Sequence, residues 1–91
     1  MTAVIWTRRA RLDAASIYAF IADDNVAAAD ALRSKIFTRV AELADLPLAH
    51  RAGRLPGTRE MVVHPNYIVV YRATEAAITI LRILHTARNW P

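Results

Sequence analysis

The chain has 91 residues, enough for one small domain, and its lack of cysteine excludes disulfides and thiolate metal sites. No apolar run approaches the roughly 18 residues that a membrane-spanning helix needs, and the opening MTAVIW lacks the features of a signal peptide. We therefore expect a single domain over residues 1–91 that resides in the cytoplasm and makes no membrane contact.

The formal net charge of +4 is unevenly distributed along the chain. Residues 1–46 contain six basic and six acidic side chains, whereas residues 47–91 contain six arginines and only two glutamates. Arginine suits phosphate and carboxylate because its planar guanidinium forms paired hydrogen bonds with them. The second half of the chain therefore favours an anionic partner, such as nucleic acid or an acidic protein segment. A plain solvated basic surface is the alternative.

The first half of the chain predicts one strand and a helical hairpin. Ala3–Trp6 is a β-branched and aromatic run typical of an edge strand. Thr7 stands at the N-cap position of a helix over residues 8–23, and Asn25 does the same for a helix over residues 26–46. Both helices carry apolar residues on one face, so we expect the pair to pack on a sheet.

The second half predicts three strands joined by short turns, after a flexible segment over residues 48–56. The strands are Thr58–Val63, Tyr67–Ala73 and Ala77–His85. The order βααβββ predicts an α+β fold, with a curled antiparallel sheet and the helical hairpin on one face. The strands are apolar almost without alternation, so both sheet faces require cover and the hairpin supplies only one.

Several sequence strings resemble the RelE/ParE superfamily of bacterial type II toxin–antitoxin toxins. They are WTRRARLDAASIYAFIADDN near the start, then GRLPGTREMVVHPNYIVVYR and ITILRILHTARNWP. The most specific parts are Gly57-Thr58-Arg59-Glu60, Tyr67 to Arg72, and Leu84-His85-x-Ala87-Arg88. One departure is Asn25-Val26, where the family commonly opens the second helix with Asn-Pro. The resemblance implies the βααβββ fold and a toxin role.

The resemblance also implies a cognate antitoxin, encoded nearby, that forms a hetero-oligomer with the toxin. Such an antitoxin is small and combines a DNA-binding domain with an acidic and apolar C-terminal segment that is disordered when free. That segment would fold as it binds the toxin. We expect it to cover the sheet face that the hairpin leaves open, through Tyr67, Val69, Tyr71 and Arg82.

Two mechanisms occur within the superfamily, and the resemblance favours one of them. ParE-like toxins poison DNA gyrase, whereas RelE-like toxins cut ribosome-bound mRNA without a metal. In the RelE-like branch an arginine commonly follows the tyrosine that starts the penultimate strand, and this chain has Ile68 there. The ending ILHTARNWP also matches that branch poorly. We therefore expect gyrase poisoning, with target contacts at Arg72, Arg82, Arg88 and Trp90.

Ribosome-dependent mRNA cleavage is the first alternative. It requires a general base, a general acid and cations for the phosphorane charge. The candidates for these roles are Arg54, Arg59, Glu60 and His85. Two of them also have a structural interpretation: Glu60 could pair with Arg72 or Arg82 across strands, and His85 could bond the backbone at a strand end.

A third possibility is a non-toxic member of the superfamily that binds its antitoxin and helps to repress their shared operon. We expect no cofactor and no metal, because His50 and His85 are far apart in the sequence and no third ligand accompanies them. Arg82, which is flanked by apolar residues, should either pair with Glu60 or face the open side of the sheet.

Overall fold

A computed structural model describes residues 2–87 of the chain. Within them one sheet and two helices are formed, in the order β1 (Ala3–Trp6), α1 (Arg8–Ala22), α2 (Val26–Glu42), β2 (Arg51–Ala52), β3 (Arg59–His64), β4 (Tyr67–Ala73) and β5 (Ala77–His85). The strands lie side by side in the order β1-β5-β4-β3-β2. Strand β1 is parallel to β5, and every other neighbouring pair is antiparallel.

The predicted α+β fold with a helical hairpin on the sheet is confirmed, and two details of the sheet differ from expectation. The sheet is mixed, because β1 joins the edge of β5 in parallel with Ala3 opposite Ala77. A four-residue apolar pattern predicts a strand but carries no information about its direction. Strand β2 was expected to be part of a flexible segment, since two residues without apolar alternation give no strand signal.

Local capping signals place the helices as the sequence predicts. The Thr7 hydroxyl oxygen accepts the Ala10 N–H at 3.1 Å and donates to the Ile80 carbonyl at 2.8 Å, so one side chain both caps α1 and ties it to β5. Asn25 accepts the Ala28 N–H at 3.0 Å at the start of α2. Helix α2 ends at Glu42, because the next three N–H groups bond to carbonyls three residues back and the chain tightens into a final narrow turn.

The main core lies between the helices and one face of the sheet, which we call the helix-covered face. It comprises Ala10, Leu32, Ile36, Val40, Leu43, Met61, Val63, Tyr67, Val69, Tyr71, Ile78, Ile80 and Ile83. The opposite side, the helix-free face, contains a smaller cluster of Ile68, Val70 and Leu84, with Leu81 packed against it. These three residues are at most 2% exposed in the chain alone. The expectation of an open apolar sheet face that needs an external cover is therefore wrong.

A salt bridge docks α1 on the edge of β5, beyond the point where β1 ends. Asp13 Oδ2 accepts from Arg82 Nε at 2.8 Å and from the Ile83 N–H at 3.0 Å, while its Oδ1 accepts from Arg82 Nη2 at 3.2 Å. Only 12% of the Asp13 side chain and 15% of the Arg82 side chain are exposed. Arg82 thus pairs with Asp13. The expectation that it pairs with Glu60 is wrong, because Glu60 pairs with Arg51.

We predict that Asp13→Ala lowers the free energy of unfolding by about 3 kcal/mol, because three hydrogen bonds to a largely buried ion pair are lost. Urea denaturation measures the effect. The matched control is Asp30→Ala, which removes a half-exposed ion pair with Arg33 and an exposed hydrogen bond from the Tyr18 hydroxyl. These surface contacts should together contribute about 1 kcal/mol or less. Equal denaturation midpoints for the two variants would refute the docking role of Asp13.

Candidate functional site

Arginines collect at one corner of the helix-free face. Arg51 lies directly opposite Glu60, and Glu60 lies directly opposite Val70, so all three side chains are on the same side of the sheet. Arg72 follows Val70 by two residues and shares that side. We call Arg51, Arg54 and Arg72, with Glu60 among them, the basic corner. Of the acidic residues in the chain, only Glu60 and Glu75 lie beyond residue 46.

Glu60 is the buried centre of the basic corner. Its side chain is 4% exposed, whereas that of Arg51 is 59% exposed. Glu60 Oε1 accepts from Arg51 Nη2 at 3.1 Å, and Oε2 accepts the Arg54 backbone N–H at 3.2 Å. The expected cross-strand partners, Arg72 and Arg82, are therefore replaced by Arg51 and the Arg54 backbone. This ion pair holds β2 against β3 while leaving the Arg51 side chain largely accessible.

The loop between β2 and β3 is held by its own hydrogen bonds, in contrast to the flexible segment expected there. The Gly53 N–H donates to the Thr58 carbonyl at 2.7 Å, and the Thr58 hydroxyl donates to the Leu55 carbonyl at 2.7 Å. A Cβ atom at Gly53 would overlap the Thr58 hydroxyl, and Gly57 has a φ of +79°, so the turn requires both glycines. A Cβ at Gly57 would lie 3.7 Å from Arg72 Nε, which places Arg72 beside the turn.

Arg59 serves the helix-covered side of the sheet. Its Nη1 donates to the His50 carbonyl at 2.8 Å and to the Leu48 carbonyl at 3.4 Å. Nearby, the Tyr71 hydroxyl donates to the Pro47 carbonyl at 2.8 Å. Together these bonds fasten the segment that follows α2 to the sheet, so the Arg59 guanidinium has a structural role in this conformation.

His85 lies at the far end of the sheet, in a row with Tyr67 and His64. The Tyr67 ring centroid is 5.4 Å from that of His85 and 5.7 Å from that of His64. His85 Nδ1 accepts the Ala87 N–H at 3.1 Å, which is the backbone bond that its structural interpretation predicts. Because His85 pairs with Tyr67, it is three residues along the strands from the row of Glu60, or about 10 Å.

The four residues considered for RNA cleavage are therefore not brought together. Arg54 and Glu60 touch through a backbone hydrogen bond, Arg59 bonds carbonyl groups on the helix-covered side, and His85 lies at the opposite end of the sheet. Within residues 2–87 there is also no cluster of histidines and carboxylates able to hold a metal. None of the helices in the same range is long and apolar enough to cross a membrane.

Three of the four residues expected to bind the antitoxin do not lie on the helix-free face. Tyr67, Val69 and Tyr71 belong to the core beneath the helices, and the last two are fully buried. Five consecutive apolar residues gave no alternation from which to decide which side each one faces. Arg72 is exposed on the helix-free face, as a target contact requires. Arg88 and Trp90, also expected at the target, lie outside the described residues.

Exposed apolar side chains occur on the helical hairpin, where sequence reasoning assigned no function. Phe20 is 76% exposed, and Leu12, Val26 and Phe37 are about half exposed. Beside them the rings of Trp6 and Phe37 lie 4.8 Å apart, and the Arg33 guanidinium lies 4.5 Å from the centre of the Tyr18 ring. A groove of about 320 Å³, which we call the aromatic groove, is lined by Trp6, Arg11, Ala14, Ala15, Tyr18, Arg33 and Phe37. Phe20, Leu12 and Val26 are not among its lining residues.

A two-helix layer on a five-stranded mixed sheet is the architecture of the RelE/ParE class of toxins. Residues 4–90 match the family described as the ParE toxin of the type II toxin-antitoxin system, parDE. The chain therefore belongs to the ParE toxin family, and it is a type II toxin of the RelE/ParE superfamily. The resemblance found in the sequence is confirmed.

Relatives over the full length agree with this assignment. The chain is 39% identical over 89 residues to the candidate toxin Y4kP of Sinorhizobium fredii, covering 94% of this chain and 90% of that protein. It is 34% identical over 90 residues to Toxin RelE2 of Caulobacter vibrioides, covering 97% and 99% of the two chains.

Solved structures show the same fold. A chain of the chromosomal ParDE toxin–antitoxin system from P. aeruginosa superimposes with a TM-score of 0.80 at 26% identity, covering 93% of this chain and 96% of that one. YafQ from E. coli strain BL21(DE3) superimposes with a TM-score of 0.68 at 17% identity, covering 96% of each chain.

We predict that Glu60→Gln lowers the free energy of unfolding by about 1 kcal/mol, because an amide binds Arg51 and the Arg54 N–H less strongly than a carboxylate does. Urea denaturation measures this change. Glu75→Gln, at an exposed position in the turn between β4 and β5, is the matched control and should be neutral. An unchanged midpoint for Glu60→Gln would show that the carboxylate does not hold the loop.

The stability of the domain should fall in mild acid because of His50, whose ring meets the Tyr71 ring edge-on at 6.3 Å. Burial, and secondarily the Arg39 charge, lower the pKa of His50 below its ordinary value of 6.5. The unfolded chain therefore binds a proton at this histidine more readily than the folded chain does. The stability contributed by neutral His50 is consequently lost as the pH falls below 6.5 towards the lowered pKa. Between pH 7 and pH 5, the urea midpoint should fall further for the wild type than for His50→Gln. Identical pH dependence would contradict this.

Proposed function

We propose that this toxin arrests bacterial growth by poisoning DNA gyrase and that a cognate antitoxin neutralises it. Membership of the ParE family supports a gyrase target, since the ParE-like branch is the one that acts on gyrase. The observation that carries the proposal is the dispersal of the nuclease candidates. A toxin without an assembled set of acid, base and cations acts more readily by binding than by cleavage.

Metal-independent RNA cleavage requires an acid and a base at the same phosphate, and these residues do not meet that requirement. A general base must reach the ribose 2′-hydroxyl while a general acid reaches the leaving oxygen, so both lie within hydrogen-bond reach of one phosphate. In this chain the Glu60 carboxylate is buried and engaged by Arg51, and His85 lies about 10 Å further along the sheet. Arg59 donates to backbone carbonyls and cannot stabilise a phosphorane from there without releasing them.

We place the antitoxin contact on the helical hairpin, in the aromatic groove. Its exposed apolar side chains, among them Phe37, suit apolar anchors on a partner. Arg11 and Arg33 line the same groove and suit acidic residues between those anchors. An antitoxin segment bound in this groove would leave the arginines of the helix-free face available for the target.

The relative named RelE2 motivates the alternative of ribosome-dependent mRNA cleavage, and a non-toxic antitoxin-binding protein is the other alternative. Inducing the chain in bacteria separates all three. Gyrase poisoning predicts DNA breaks that depend on gyrase, an SOS response and intact mRNA. Codon-associated mRNA cuts mapped by primer extension would establish the nuclease instead, and normal growth would establish the non-toxic protein.

Two single substitutions test the assignment of surfaces within the same experiment. Arg72→Ala should reduce growth inhibition by about tenfold, the effect of losing about 1.4 kcal/mol of target binding, while the antitoxin still binds. Arg33→Ala should keep growth inhibition and weaken rescue by the co-expressed antitoxin. Loss of toxicity in Arg33→Ala together with full toxicity in Arg72→Ala would reverse the two surfaces.

A further inference from the structure

We infer that the basic corner binds the sugar-phosphate backbone of duplex DNA. The identity of that DNA, as the segment held by gyrase, rests on the proposed function, but the binding itself does not. The corner then gives the toxin a contact to nucleic acid in addition to its contact with a protein target.

The basic corner is organised in advance for an anion. The buried Glu60 carboxylate fixes Arg51 from below and bonds the Arg54 backbone, so the cations stand on a held loop instead of a mobile one. Arg72 is exposed beside the same turn and makes no ion pair with any residue between positions 2 and 87. Arg51 is already held by Glu60, so it loses less conformational entropy than an unheld arginine when an anion binds.

The spacing of the arginines suits a chain of phosphates better than a single anion. Arg51 and Arg72 are two strands apart and two residues apart along the strands, so their Cα atoms are separated by about 12 Å. Phosphates on one strand of duplex DNA advance by about 3.4 Å each along the helix axis, so a separation of this size extends past more than one of them. Cations this far apart can therefore each meet a separate phosphate.

The distribution of apolar residues favours DNA over an acidic peptide as the occupant. A peptide that folds on binding draws much of its affinity from apolar anchors. The apolar centre of the helix-free face, Ile68, Val70 and Leu84, is shielded, while Ile5 and Val62 are the large apolar side chains that remain about half exposed there. Most other exposed large apolar residues lie on the hairpin or its flanking loops. Phosphate contacts, by contrast, require cations and hydrogen-bond donors alone.

Fluorescence anisotropy of the full chain with a labelled duplex of mixed sequence tests this inference. The logarithm of the binding constant should fall linearly with the logarithm of the salt concentration, with a slope of about −2 to −3 for two to three neutralised phosphates. Arg72→Ala should reduce the magnitude of the slope by about one and weaken binding about eightfold at 0.1 M salt. Arg72→Lys should restore most of the slope, since it retains the charge.

Lys35→Ala is the matched control, because it removes the same charge from an exposed position on α2. It should leave both affinity and slope unchanged. Equal effects of Lys35→Ala and Arg72→Ala, or no binding at 50 mM salt, would overturn the inference. Tighter binding to an RNA duplex than to DNA would also overturn it. Gyrase-dependent DNA breaks in induced cells are measured separately, so the proposed target can stand even where DNA binding by the isolated toxin fails.

Discussion

The carboxylate of Asp13 joins the first helix to the last described strand, and the arrangement of the two layers depends on it. It binds the Arg82 side chain and the Ile83 backbone N–H together, at a site where β5 has lost its neighbour β1. A strand edge with an unpaired N–H beside a packed helix would otherwise carry a desolvation penalty. The Thr7 hydroxyl provides the second tie six residues earlier, at the Ile80 carbonyl. Two polar side chains thus fasten α1 to β5.

The two layers of the molecule differ in net charge and in exposed apolar surface. The hairpin half carries equal numbers of acidic and basic residues, and the large exposed side chains Phe20 and Phe37. The sheet half carries the net positive charge, with most of its apolar residues shielded and Val62 half exposed on the helix-free face. One side therefore suits a partner with apolar anchors, and the other suits a partner that offers negative charge alone. A growth inhibitor that must recognise both a target and a neutralising protein can use the two chemistries separately.

Features governed by neighbouring residues were predictable from the sequence. The N-caps at Thr7 and Asn25 depend on contacts three residues away, and both helices begin where those residues indicate. The three long strands were predicted nearly to their ends because β-branched runs and turn residues define them. The family itself was found because its strings extend over nearly the whole chain.

Features governed by distant contacts were not predictable. Glu60 pairs with Arg51 because of the short strand β2, which has no signal in the sequence. The sides faced by Tyr67 and Tyr71 depend on register, which an uninterrupted apolar run does not reveal. Arg82 meets Asp13 across 69 positions, and no local pattern links the two residues. The basic corner was partly visible as a charge imbalance, but its membership required the strand pairing.

The position of β5 between β1 and β4 has a consequence for the synthesis of the protein. Strand β1 is made well before its partner in the sheet, residues 77–80, because Ala3 lies opposite Ala77. Closing such a long stretch of chain is slow, and a nascent chain that lacks β5 has neither a docking edge for α1 nor a neighbour for β1. The domain can therefore complete its sheet only after β5 has been synthesised. A harmful protein is thereby prevented from folding until β5 is available.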